Sequence, residues 1–140
     1  MMRRMLLWSS LTVMISLLAL AQPASAQSPT IKVTSVAVGQ PGGDCPGPSS
    51  EIDCIDVAWA VSNPSNVKID GFDVSVKVTY TGAGSNTGSK SVDGAARKAK
   101  VGVFHQGSGG LKSFEVTIKA FLLIRGAKKT VATATRTGNF

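Results

Sequence analysis

One histidine, one tyrosine and two cysteines are the whole supply, in 140 residues, of the side chains that most often do chemistry near neutral pH. Nucleophilic catalysis needs a base held against its nucleophile, and His105 is the only imidazole available. Ser108 and Ser113 lie close to it in sequence, but neither stands in a nucleophile-elbow turn. His105 is therefore expected at the surface, at the end of a strand. A structural zinc site needs four nitrogen or sulfur ligands, and two cysteines with one histidine do not supply them. Asp44, Glu51, Asp53 and Asp56 cluster in sequence but lack the spacing of a calcium loop, and solvated carboxylates are expected there. The chain is read as non-enzymatic, with no catalytic residue, cofactor or metal.

Aromatic residues make up only 6% and charged residues 16% of the chain. No run of basic residues with interleaved aromatics is present, which argues against a nucleic-acid partner. A flat aromatic platform for carbohydrate is not expected either. Trp59 and Tyr80 fall at inward positions, and the aromatics expected near the surface, Phe104, Phe121 and Phe140, belong to different elements.

Long apolar runs are also scarce, and the one present is N-terminal. Arg3 and Arg4 precede an apolar stretch from Met5 to about Ala21, and Ala24-Ser25-Ala26 supplies the small residues of a signal-peptidase site. The unbroken apolar core, Leu11 to Ala21, is short beside the roughly 20 residues of a spanning helix. Residues 1–26 are thus read as a cleaved signal peptide, with no permanent span, and 27–140 as one exported domain, secreted or periplasmic. Without Arg3 and Arg4, 13 basic residues face 8 acidic ones, a formal +5. Such a balance suits ordinary solubility and, more pointedly, an anionic partner.

Export places Cys45 and Cys54 in an oxidising compartment, where a disulfide is the expected state. Eight residues separate them, PGPSSEID, which is not the two-residue spacing of a redox pair. A bridge across so short a loop would stabilise by about 2–3 kcal/mol.

What the chain has in quantity is alternation. From Cys54 to Tyr80 two runs place Ile55, Val57, Trp59 and Val61, then Phe72, Val74, Val76, Val78 and Tyr80, on one face each. Asn63-Pro64-Ser65-Asn66 separates them as a turn. Trp59 is the marker of the core. Upstream, Thr30 to Val38 changes parity between Val33 and Val36, which implies a bulge near Ser35. Downstream, Gly82 to Ser89 reads as a flexible connection and Lys90 to Val92 as a short edge strand. Arg97 to Phe104 and Lys112 to Ile124 are strands, the latter with Phe114, Val116, Ile118, Ala120 and Leu122 inward. Arg125 to Lys129 reads as a turn and Thr130 to Thr137 as a last strand. No segment sustains helical periodicity. An all-β, two-sheet antiparallel sandwich of about seven strands is expected.

Three stretches give the pattern a family likeness. Trp59 stands near the end of the second strand, Ile69-Asp70-Gly71-Phe72-Asp73-Val74 opens the third, and Phe114-Glu115-Val116-Thr117-Ile118-Lys119-Ala120 forms the sixth. Together they resemble a fibronectin type III domain, an immunoglobulin-like sandwich. The resemblance implies strands one, two and five in one sheet and three, four, six and seven in the other. Phe114 occupies the place where that family usually has a tyrosine.

An exported, non-catalytic binding or structural module of the cell envelope or secretome follows as the expected function. On the sheet of strands one, two and five, Lys32, Lys98 and Lys100 share the outward parity, with Arg97 beside them in sequence and Asp56 the one acid placed there. This basic face is the candidate site for an acidic protein surface or an anionic surface polymer. A second reading is protease inhibition. Ser62-Asn63-Pro64 and Gly107-Ser108-Gly109-Gly110 resemble loops of chagasin-type cysteine-protease inhibitors, although Ser65-Asn66-Val67 follows the proline in place of Thr-Thr-Gly.

Overall fold

A computed structural model of the protein describes residues 25–43, 45 and 51–140. Residues 1–24 of the expected signal peptide, and Asp44, lie outside the described residues. The architecture is a two-sheet antiparallel β-sandwich of seven strands: β1 Thr30–Val38, β2 Ile52–Ser62, β3 Gly71–Tyr80, β4 Ser85–Asp93, β5 Lys98–Phe104, β6 Leu111–Ile124 and β7 Ala127–Asn139. One sheet has the order β1-β2-β5 and the other β4-β3-β6-β7. That distribution is the one the family resemblance implies.

The alternating valines build the core. Ile55, Val57 and Trp59 of β2 and Val101 and Val103 of β5 meet Phe72, Val74, Val76 and Val78 of β3 and Val116 and Ile118 of β6, all buried. Each fully buried side chain of this size contributes about 1.5–3 kcal/mol, so the interface between the sheets is the main stabilising layer. All seven strands and the whole cluster lie within 30–139, so this segment carries its entire core.

Both open sides of the sandwich are closed by close approaches. The bulge in β1 falls between Val33 and Ser35. There the Arg136 guanidinium of β7 donates to the carbonyls of Val33 (3.3 Å) and Thr34 (3.0 Å). On the other side β4 lies against β5, and a Cβ at Gly88 would stand 2.0 Å from the Gly102 carbonyl oxygen. Only a glycine permits that separation of two backbones.

Three elements depart from the sequence reading. The flexible connection shrinks to Thr81–Gly84, and the edge strand grows to nine residues, Ser85–Asp93. Asn86, Gly88, Lys90 and Val92 occupy its inward face, so no apolar alternation announces it. Backbone pairing to β3 along its whole length holds it instead. A second bulge lies in β7, where Val131 is the extra residue opposite Ala120 and Phe121. Phe121, expected near the surface, stays on the outer face of β6 but is buried there beside Gly71, with Lys128 Nζ 4.3 Å from its ring centre, while Leu122 is half-buried. The expected five-residue turn is only Arg125-Gly126, which lets β6 and β7 continue pairing to Ile124 and Ala127.

Candidate functional site

Strand β2 lies between β1 and β5, and its outward residues are small where the neighbours' are basic. Ser35, Ala58 and Lys98 form one row across the sheet, and Ala37, Asp56 and Lys100 the next. Lys32 stands opposite Ala60. With strands about 4.8 Å apart, Lys32 on one side and Lys98 and Lys100 on the other border a floor of alanine and serine. A groove of about 540 Å³ occupies this floor and reaches past the β5 edge to Lys90 and Val92 of β4. Lys90, Lys98, Lys100 and one acid, Asp56, line it, whereas Lys32 stands further along β1, outside its lining.

The basic residues are not equivalent. Lys100 Nζ lies 3.3 Å from Asp56 Oδ1 and donates to the Gln40 carbonyl, so its charge is largely used within the fold. Lys32 and Lys98 are exposed. Arg97 does not join this face. Its guanidinium sits 5.5 Å from the centre of the Phe72 ring and donates to the carbonyls of Gly94 (3.0 Å) and Ala96 (2.7 Å). Arg97 shares parity with Ala99 rather than Lys98, and at the strand end that parity points over the mouth of the core. Its contribution is a cation over an aromatic ring, beside the Trp59–Phe72 pair whose centroids are 5.3 Å apart.

A second polar cluster was not legible in the sequence. The Tyr80 hydroxyl lies 3.0 Å from Asp53 Oδ2 and 2.9 Å from the Phe104 carbonyl, which also accepts from Asn86 Nδ2. His105 Nδ1 is 2.8 Å from the same Asp53 oxygen, and its ring meets the Tyr80 ring edge-on at 4.8 Å. Asp53 is thus not a freely solvated carboxylate, and His105 is folded against a ring rather than standing free. Burial first, and then the hydrogen bond and negative charge of Asp53, push the Tyr80 phenol above its ordinary pKa. The group joins β2, β3 and β5 and has no nucleophile in contact with it among the described residues.

Cys45 and Cys54 form a disulfide, Cα–Cα 6.1 Å, and both are buried. Among the described residues no three His, Cys, Asp or Glu side chains converge as a metal site. No helix among them is long and apolar enough to cross a membrane. The two inhibitor-like fragments lie at opposite ends of the sandwich. Ser62-Asn63-Pro64 follows the end of β2 that pairs with Thr30, whereas Gly107–Gly110 follows the end of β5 that pairs with Ile52. They cannot enter one cleft together. No protein family, curated protein or solved structure matches the chain.

Proposed function

We propose that this protein is an exported, non-catalytic binding module of the cell envelope or secretome, of the fibronectin type III kind, that holds an anionic surface polymer or the acidic surface of a partner protein. The observation that carries the reading is the lysine-bordered groove on the outer face of β1-β2-β5, with its small-residue floor. Small residues keep the floor low enough for an extended chain, the β5 border carries Lys98 as a flexible point charge, and Lys32 adds a second one further along β1 on the same face. The division of strands between the sheets supports the family assignment. The N-terminal leader and the disulfide support an extracytoplasmic location.

The test is retention on immobilised polyglutamate and on a sulfated polysaccharide, at low and at physiological salt. Binding should weaken steeply over that interval, because exposed charges are screened over roughly 8–10 Å. Lys32→Glu with Lys98→Glu should abolish it without lowering the melting temperature. Lys100 is left in place because it holds Asp56 and Gln40. Retention that ignores both salt and the double substitution would remove the groove from consideration.

A further inference from the structure

The β6–β7 hairpin runs past the sheet that supports it. Strand β3 begins at Gly71, opposite Phe121, so the pairs Leu122–Lys129, Leu123–Lys128 and Ile124–Ala127 project with no third strand beside them. At the tip Leu123 and Ile124 are 46% and 48% exposed, consecutive apolar side chains on the two faces of the hairpin, among few large apolar side chains exposed in the described residues. The hairpin's own sequence carries charge of one sign: after Glu115 no acid occurs, and Arg125, Lys128 and Lys129 stand at or next to the tip.

Nearby acids are already engaged. Asp73 pairs with Lys128 at 2.8 Å, and Lys128 Nζ also lies 4.3 Å from the centre of the Phe121 ring. Asp70 pairs with Lys68 at 3.0 Å and accepts the Leu123 backbone N–H at 2.6 Å, which fixes the hairpin's angle. That N–H first, and Lys68 after it, hold the Asp70 carboxyl below the usual range. Asp93 caps its own turn through the N–H groups of Ala95 and Ala96. Arg125 and Lys129 are exposed beside the two apolar side chains.

The backbone at the tip adds a second observation. Arg125 has φ 52° and Gly126 φ 80°, the left-handed pair of a two-residue hairpin turn. Asparagine, aspartate or glycine would hold the first position with less strain. The turn tolerates an arginine where a neutral residue would be easier, so its charge stands at the furthest point of the hairpin.

The chain's entry lies at the same end. Ala26 to Pro29 line one groove together with Lys129, Thr130 and Val131. The first described residues of the chain therefore run beside the base of the hairpin tip.

We infer that the β6–β7 tip is a docking surface for an anionic phospholipid bilayer, with Leu123 and Ile124 entering the interface and Arg125 and Lys129 meeting the headgroups. Adjacent apolar and basic side chains on a projecting element suit a surface that is hydrocarbon below and negative above. This surface is separate from the lysine-bordered groove and does not rest on its function.

The experiment is co-sedimentation of the exported, processed protein with vesicles of phosphatidylcholine alone and of an equimolar phosphatidylcholine–phosphatidylglycerol mixture. Binding to the mixed vesicles and little to the neutral ones is expected. Leu123→Ser with Ile124→Ser should reduce it more than tenfold, and Arg125→Gln with Lys129→Gln by roughly fivefold for each charge removed. Ile124→Trp should give an emission band that shifts to the blue on mixed vesicles only. Lys32→Glu with Lys98→Glu, on the other face, should leave sedimentation unchanged. All these positions are exposed, so melting temperature checks that each variant is folded. Equal binding to both vesicle types, or sedimentation indifferent to the serine pair, overturns the inference. So would capture of a soluble acidic protein by the tip with no vesicle binding.

Discussion

The Tyr80 hydroxyl sits 3.0 Å from Asp53 Oδ2, so a strand of one sheet is tied to a strand of the other by the only tyrosine in the chain. Tyr80 makes this tie from β3, reaching both the Phe104 carbonyl and Asp53. Tyr80→Phe keeps the ring and removes only the tie, which should cost about 1–2 kcal/mol by denaturant titration.

The same residue sets an alkaline limit. Its phenol is held above the ordinary value of about 10, so the fold favours the protonated form. Above that pH the unfolded chain loses this proton before the folded one does, and stability falls as pH rises. The contribution is complete below about pH 10 and is lost as pH climbs through the higher folded value. Wild type should therefore lose stability faster than Tyr80→Phe in that window, the lysines being common to both. Parallel stability curves for the two proteins above pH 10 would contradict this.

Gly88 should be as sensitive as a core residue although it lies on an edge strand. Gly88→Ala places a methyl group into the Gly102 carbonyl, with the Val103 side chain 3.1 Å away. Either β4 moves off β5 or the carbonyl shifts, and a cost of about 1–3 kcal/mol is expected. Ser89→Ala, the neighbour pointing outward, should stay within about 0.5 kcal/mol. A Gly88→Ala protein that melts with wild type would show that the two edges are not in contact.

Trp59 is buried against Phe72 and is the single tryptophan of residues 27–140. Trp59→Ala should cost about 3–5 kcal/mol. The buried indole N–H has no acceptor among the described residues, so Trp59→Phe loses no hydrogen bond and should cost clearly less. Native emission should be blue-shifted relative to free indole. Equal destabilisation by phenylalanine and alanine would reveal a partner for the nitrogen.

The strands that sequence reveals best are those whose inward residues are apolar at every second position. Val74, Val76 and Val78 announce β3, and Phe114, Val116 and Ile118 announce β6, because burial of one face demands that alternation. Only the Lys90–Val92 end of β4 is legible; Ser85 to Ser89 is silent because asparagine and glycine face inward there and pairing to β3 orders it. That β4 runs alongside β5, which brings Lys90 to the same groove as Lys98 and Lys100, is a matter of tertiary packing that alternation does not report. The burial of Phe121 on the outer face has no local marker, since it depends on Gly71 of the neighbouring strand and on Lys128 across the hairpin. Arg97 was adjacent to the lysines in sequence, but one residue along a strand is the opposite face.

The tip of the β6–β7 hairpin provides a last measurement, in which stability and charge pull apart. Arg125 adopts a left-handed conformation that costs an L-residue with a Cβ about 1 kcal/mol or more. Asparagine tolerates that region through its short polar side chain and is favoured at the first position of such turns. Arg125→Asn should therefore stabilise the protein by about 0.5–1 kcal/mol, seen as a melting temperature raised by a few degrees. The same substitution removes the outermost positive charge and should weaken sedimentation with phosphatidylglycerol vesicles. A variant that is more stable yet binds less would mark the arginine as retained for its charge against the preference of its backbone. A lower melting temperature would mean that the guanidinium makes a stabilising contact larger than the strain it imposes.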